Sequence, residues 1–89
     1  MQIKNKIAIV TGGASGLGAA TVRQLHLSGA HVYIADLKEK EGSDLANELG
    51  SQATFIKTDV SNNTSMNQAI NTVLEQKKFL HLLVNCAGI

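Results

Sequence analysis

TGGASGLGAA, residues 11–20, sets four glycines among small side chains and one leucine, directly behind the apolar run KIAIV (Lys6–Val10). A segment that buries so little side-chain surface is not core. It is a connection in which the backbone turns sharply or approaches something closely.

The flanks show what it connects. KIAIVTG (Lys6–Gly12) is a nearly continuous apolar run with β-branched residues, as expected of a strand buried on both faces. Gly16–Ser28 reads as a helix with Leu17, Ala20 and Leu25 inward and Gly29 as its left-handed stop. HVYIAD (His31–Asp36) is a second strand. Lys38–Leu49 is an amphipathic helix with Gly42, Leu45, Ala46 and Leu49 inward, stopped by Gly50. ATFIKTDV (Ala53–Val60) is a third strand. Ser61 is read as the cap of a third helix, in which Met66, Ala69, Ile70, Val73 and Leu74 form a buried stripe. LHLLVNCAGI (Leu80–Ile89) is a fourth strand. Strands alternating with helices signal βαβ units, an α/β fold and a parallel sheet. In such sheets the turn after the first strand lies outside the carboxyl ends of the strands, where ligands bind.

Composition limits the alternatives. The chain has 89 residues, so one domain at most, with 44% hydrophobic and 17% charged residues and no proline. Eight basic against seven acidic residues leave no electrostatic footprint for nucleic acid or a membrane surface. One cysteine, Cys86, excludes an internal disulfide and paired-cysteine zinc sites, and points to a reducing, cytoplasmic compartment. No apolar run reaches the roughly 18 residues of a membrane span, and Met1–Lys4 lacks signal-peptide character.

Within the glycine-rich stretch, Gly12 permits the tight turn, Gly16 lets backbone approach a pyrophosphate, and Gly18 lets the helix pack against the sheet. The N–H groups and dipole of the helix start then face an anion. Asp36 follows Gly12 at close to the ~20-residue interval at which a carboxylate accepts hydrogen bonds from an adenosine ribose. A carboxylate there favours NAD over NADP, whose 2′-phosphate it repels. Ser15 adds no positive charge, whereas Lys38 speaks the other way. The structural alternatives are a ligand-free turn for the glycines and a helix cap for Asp36. A phosphate-binding loop of the Gly-Lys-Ser/Thr kind is excluded, because that triplet does not follow.

Together, TGGASGLG (Thr11–Gly18), DV (Asp59–Val60) and NCAGI (Asn85–Ile89) resemble the motifs of the short-chain dehydrogenases/reductases, in order and at strand ends. In NCAGI, Cys86 replaces the second asparagine of that family's NNAG. Within the family, VTGGASGLGAAT, ADL and VNCAGI are most similar to a subgroup acting on 3-hydroxyacyl-CoA. The resemblance implies a partial Rossmann fold in strand order 3-2-1-4 with helices on both faces, and NAD as cofactor. It implies Gly12, Ser15, Gly16, Leu17 and Gly18 around the pyrophosphate, Asp36 and Leu37 at the adenosine ribose, and Asp59 and Val60 at the adenine. Asn85 and Gly88 would lie beside the cofactor, with Ala87 on the adenosine side.

The family's chemistry uses a serine and a YxxxK pair carried on later elements. The only tyrosine, Tyr33, lies in the second strand with no lysine four residues on, so no catalytic residue is assigned and the 89 residues alone are expected to be inactive. Cys86 reads as a small strand-end hydrophobe, and His26, His31 and His81 do not form a metal-spaced set. Two functions stay open. One is the NAD-binding segment of an oxidoreductase acting on a small hydroxyl or carbonyl substrate; the other is a non-catalytic nucleotide-binding or assembly module. A methyltransferase-like sheet fits less well, because it leaves Asp59–Val60 and Asn85–Gly88 without a role. The fourth strand would be an unprotected edge and one sheet face partly bare, so self-association through Leu80–Asn85 or the Met66–Leu74 helix is expected.

Overall fold

The computed structural model describes residues 2–86. Four strands and three helices alternate along the chain: β1 (Ile7–Thr11), α1 (Gly16–Leu27), β2 (His31–Asp36), α2 (Glu39–Leu49), β3 (Ala53–Lys57), α3 (Asn63–Lys77) and β4 (Leu82–Asn85). All pairings are parallel and the order is β3-β2-β1-β4. The expected doubly wound α/β arrangement is therefore present.

Strand composition follows position in the sheet. Val32–Ala35 of the interior strand β2 are fully buried, as the apolar run requires, whereas the outer strand β4 alternates half-buried and exposed residues. Val10, Val22, Ala30, Val32, Ile34 and Leu45 form one core, on the α1 and α2 side. Ile9, Tyr33, Ala35 and Val73 form the other, under α3. Two helices cover one face and a single helix the other, because the connection from β3 crosses β2 and β1 to reach β4. Among the described residues no helix is long and apolar enough to cross a membrane.

Helix ends explain the loop positions. At the end of α1, Gly29 N–H donates to His26 O at 3.0 Å and Ala30 N–H to Leu25 O at 3.1 Å, the paired bonds of a left-handed stop, with Gly29 at φ +94°.

Several details depart from the sequence reading. The inward side of α1 is Gly18, Ala19, Val22 and Leu25, while Leu17 is 61% exposed and Ala20 exposed, because the tight seat of Gly18 rotates the first turn. The α3 cap is Asn62, whose side chain accepts from Ser65 N–H at 2.9 Å; Ser61 instead bonds Asp59. The first, third and fourth strands are shorter than their apolar runs, since β1 begins after Lys6, β3 ends at Lys57 and β4 covers Leu82–Asn85. Leu74 of the expected stripe is 39% exposed.

Candidate functional site

The register aligns Thr11 with both Ala35 and Asn85, and Asp36 with Lys57, so the carboxyl ends of all four strands share one edge. The glycine loop leaving β1 and the turn leaving β2 meet at that edge, where open α/β sheets bind ligands.

The glycine loop is anchored at its base by Gly12 N–H donating to Ala35 O at 2.8 Å. A Cβ on Gly18 would fall 1.8 Å from the Gly12 carbonyl oxygen, so only glycine lets α1 seat against this turn. Gly16 differs: at φ +58°, a Cβ would meet nothing within 4 Å, leaving open space above the loop. Ser15 is extended and makes no side-chain capping bond, and the first turn of α1 carries no acidic residue. The positive end of this helix is therefore uncompensated by its own side chains and faces that space.

Asp36 ties the corner together. Its Oδ2 accepts from Ala14 N–H at 3.1 Å and its Oδ1 from Lys38 N–H at 3.0 Å. It is not the cap of α2, whose capping position is Lys38. Each carboxylate oxygen keeps capacity for a further donor, such as a sugar hydroxyl. The Lys38 ammonium donates to Ser15 Oγ at 3.1 Å, and Leu37 is 55% exposed.

After β3, Thr58 N–H donates to Asp36 O at 2.9 Å. Asp59 Oδ1 accepts from Ser61 N–H at 3.0 Å and from its hydroxyl at 2.6 Å. These bonds, the hydroxyl first, hold the Asp59 carboxyl below its usual range. Asp59 N–H also donates to Ser65 Oγ at 2.9 Å, so this aspartate shapes the entry into α3, with Val60 exposed beside it. At β4, Asn85 Oδ1 accepts from the buried Thr11 hydroxyl at 2.7 Å, and Cys86 N–H donates to Thr11 O at 3.1 Å. Ala87 and Gly88 lie outside the described residues.

The remaining candidates for chemistry are occupied elsewhere. The Tyr33 hydroxyl donates to Gln76 Oε1 at 2.7 Å, and burial pushes its pKa up. His26 meets Ser51 O, His31 meets Thr54 Oγ1, and His81 Nδ1 accepts from Ile7 N–H. Among the described residues no group of three His, Cys, Asp or Glu could hold a metal. A groove of about 380 Å³ between α2 and the start of β3, lined by Ala46, Gly50, Ala53 and Phe55 among others, lies at the opposite end of the strands from Asp36.

The sequence reading singles out the glycines, Ser15 and Asp36, which the fold brings into one corner, and Asn85, which it sets along the same edge. It misses the Ala14 amide, because no side chain marks it, and Thr11, whose only signal is a hydroxyl ending an apolar strand.

Residues 6–89 match the family model described as short chain dehydrogenase. A 3-hydroxyacyl-CoA dehydrogenase type-2 from Drosophila melanogaster is 44% identical over 87 residues, covering 98% of this chain and 34% of that protein. The crystal structure of 3-hydroxyacyl-CoA dehydrogenase type-2 from Mycobacterium avium superposes with a TM-score of 0.85 at 44% identity, over 96% of this chain and 33% of that one. A 3-ketoacyl-(acyl-carrier-protein) reductase from Brucella melitensis, solved in complex with NADH, superposes with a TM-score of 0.86 at 26% identity, over 91% of this chain and 34% of the other. The chain thus spans about a third of the length of these relatives.

Proposed function

The chain belongs to the short-chain dehydrogenase family, and from that premise we propose that it forms the adenosine-binding part of an NAD-dependent oxidoreductase acting on a hydroxyl or carbonyl carbon. When bound, the cofactor supplies hydride transfer; the residues of this chain bind and orient it. Gly12, whose own N–H is committed to Ala35 O, makes the turn, and Ser15, Gly16, Leu17 and Gly18 hold the pyrophosphate through backbone N–H groups. The free lone pairs of Asp36 take the ribose hydroxyls beside Leu37. Asp59 and Val60 flank the adenine, and by the family resemblance Asn85 and Gly88 lie beside the cofactor, with Ala87 on its adenosine side. The relatives from Drosophila melanogaster and Mycobacterium avium favour 3-hydroxyacyl-CoA as the substrate class.

The observation that carries this reading is the Ala14–Asp36 hydrogen bond of 3.1 Å, which joins an open anion cradle to a carboxylate suited to a diol. Titration calorimetry of the chain with NAD, ADP-ribose and NADP tests it. Binding of the first two, with weaker binding of NADP, is expected. A folded chain that binds none of them overturns the reading.

A second reading, a nucleotide-binding or assembly module without chemistry of its own, is favoured for these 89 residues by Tyr33, whose hydroxyl is committed to Gln76 away from the loop. Leu83, 51% exposed on β4, and Phe79, 65% exposed after α3, make a surface for self-association in that case. The single thiol suits a reducing compartment such as the cytoplasm.

A further inference from the structure

β3 is an outermost strand of the sheet, paired on one side only. At its two ends, Val32 N–H donates to Gln52 O at 2.8 Å and Thr58 N–H to Asp36 O at 2.9 Å. A parallel ladder engages alternate residues, so Thr54 and Ile56 turn their main-chain groups toward β2, while Ala53, Phe55 and Lys57 turn theirs outward. Among the described residues nothing pairs with those outward N–H and C=O groups. The strand contains no proline, and its one charge, Lys57, is drawn back to Glu39 at 3.9 Å. Such an edge is a template for a further strand.

The surroundings of the edge select the strand that fits. The groove of about 380 Å³ is lined by Ser43, Ala46 and Asn47 of α2 and by Gly50, Ala53 and Phe55, with no charged side chain among them. Phe55 packs on the α1 and α2 side, so the side chains of Ala53 and Lys57, two residues away along the strand, share that face. An added residue opposite Phe55 therefore has an uncharged, largely apolar seat. Next to Ala53 the groove reaches the carboxyl end of α2, whose last turn has no basic residue, and a Cβ on Gly50 would meet nothing within 4 Å. That negative helix end attracts a cation. A second copy of this chain fits poorly. Pairing two β3 strands would set α2 beside α2, each with four acidic residues against Lys40 alone. The partner's Phe55 ring would also be committed beneath its own Gly42, where a Cβ would fall 2.2 Å from the ring, and could not fill the groove.

We propose that the outer edge of β3 binds an extended peptide segment of another protein, added antiparallel, with an apolar side chain opposite Phe55 and a lysine or arginine two residues later, opposite Ala53. The peptide runs from Lys57 toward Ala53 and exchanges main-chain hydrogen bonds with Ala53, Phe55 and Lys57. Its apolar side chain rests beside Ala46, and its cation meets the last carbonyls of α2. This groove lies at the opposite end of the strands from Asp36 and is independent of the dinucleotide site.

The test is amide-exchange and chemical-shift mapping of the isotope-labelled chain by NMR, with the end-capped peptide Thr-Thr-Leu-Thr-Lys-Thr. Binding is expected to slow exchange at the outward amides of Ala53, Phe55 and Lys57 and to leave the paired amides of Thr54 and Ile56 as they were. Glutamate in place of the peptide's lysine should weaken binding by about fivefold or more. Serine in place of its leucine should do so by about tenfold or more. Asn47 is exposed, so Asn47→Arg should fold, as the same spectrum verifies, and its cation at the end of α2 should weaken binding by about fivefold or more. Exchange unchanged by the peptide overturns the proposal. Equal binding of the lysine and glutamate peptides, or binding unaltered in Asn47→Arg, also overturns it. Protection of the same amides that grows with chain concentration alone assigns the edge to a second copy and overturns it as well.

Discussion

The main-chain N–H of Ala14 donates to Asp36 Oδ2 at 3.1 Å, a contact between residues 22 apart in the chain. It makes the glycine loop and the end of β2 one unit, because the same carboxylate also holds the first amide leading into α2.

Replacing Asp36 with alanine removes a charged acceptor from two amides, so stability should fall by about 1.5–3 kcal/mol. ADP-ribose affinity should fall by about tenfold or more, since the diol loses its acceptor. Asp36→Asn keeps one acceptor oxygen and should lie between. Urea unfolding and calorimetry read the two effects; undiminished ADP-ribose binding in Asp36→Ala would remove this carboxylate from the site.

Gly18→Ala and Gly16→Ala separate packing from binding. The first forces a Cβ to 1.8 Å from the Gly12 carbonyl oxygen, so backbone must move, at a cost of about 1–3 kcal/mol by analogy with overpacking. The second has open space around it but sits at φ +58°, which costs about 1–2 kcal/mol for an L-residue. Gly16→Ala should therefore stay folded yet bind ADP-ribose weakly. Equal stability of Gly18→Ala and the unmodified chain in urea would contradict the close seating of α1.

Burial first, then the charges of Lys77 and His26, hold the His31 imidazole below its ordinary value of 6.5. As pH falls below that value, the unfolded chain takes up a proton that the folded chain resists, so unfolding gains ground. Stability should decline from about pH 6.5 downward until the folded-state pKa is passed, and then level off for this group. His31→Gln, which can still reach Thr54, should flatten that part of the profile in melts across a pH series. An unchanged slope would assign the acid sensitivity to another group.

Leu83 pairs in register with the buried Ile9, yet is 51% exposed at the sheet's outer strand. Leu83→Glu should abolish concentration-dependent association, with a stability change within about 0.5 kcal/mol because the site is half open. Light scattering over a concentration series decides. A chain that is monomeric throughout rules out this edge as a contact.

The alternation of elements was legible because each segment carries its own burial demand. The uninterrupted Val32–Ala35 run belongs to a strand covered on both faces, and the apolar spacing of Ala69 and Val73 to a helix facing one side. Interval alone paired Asp36 with the glycines, since a βα unit returns the chain to the same sheet edge. Ends of elements were less legible. Ser61 and Asn62 are equally plausible caps, and only the route out of β3 gives Ser61 to Asp59 and leaves Asn62 for Ser65.

By itself, then, the sequence determined the parallel α/β fold, the strand-to-helix glycine loop and the carboxylate assigned to it, because these follow from local periodicity and spacing. The tertiary structure alone decided that Thr11 holds Asn85 from 74 residues away, that Lys38 reaches Ser15, and that Leu17 faces outward. Those outcomes depend on strand register and on how closely α1 seats over Gly18, distances that no single segment contains.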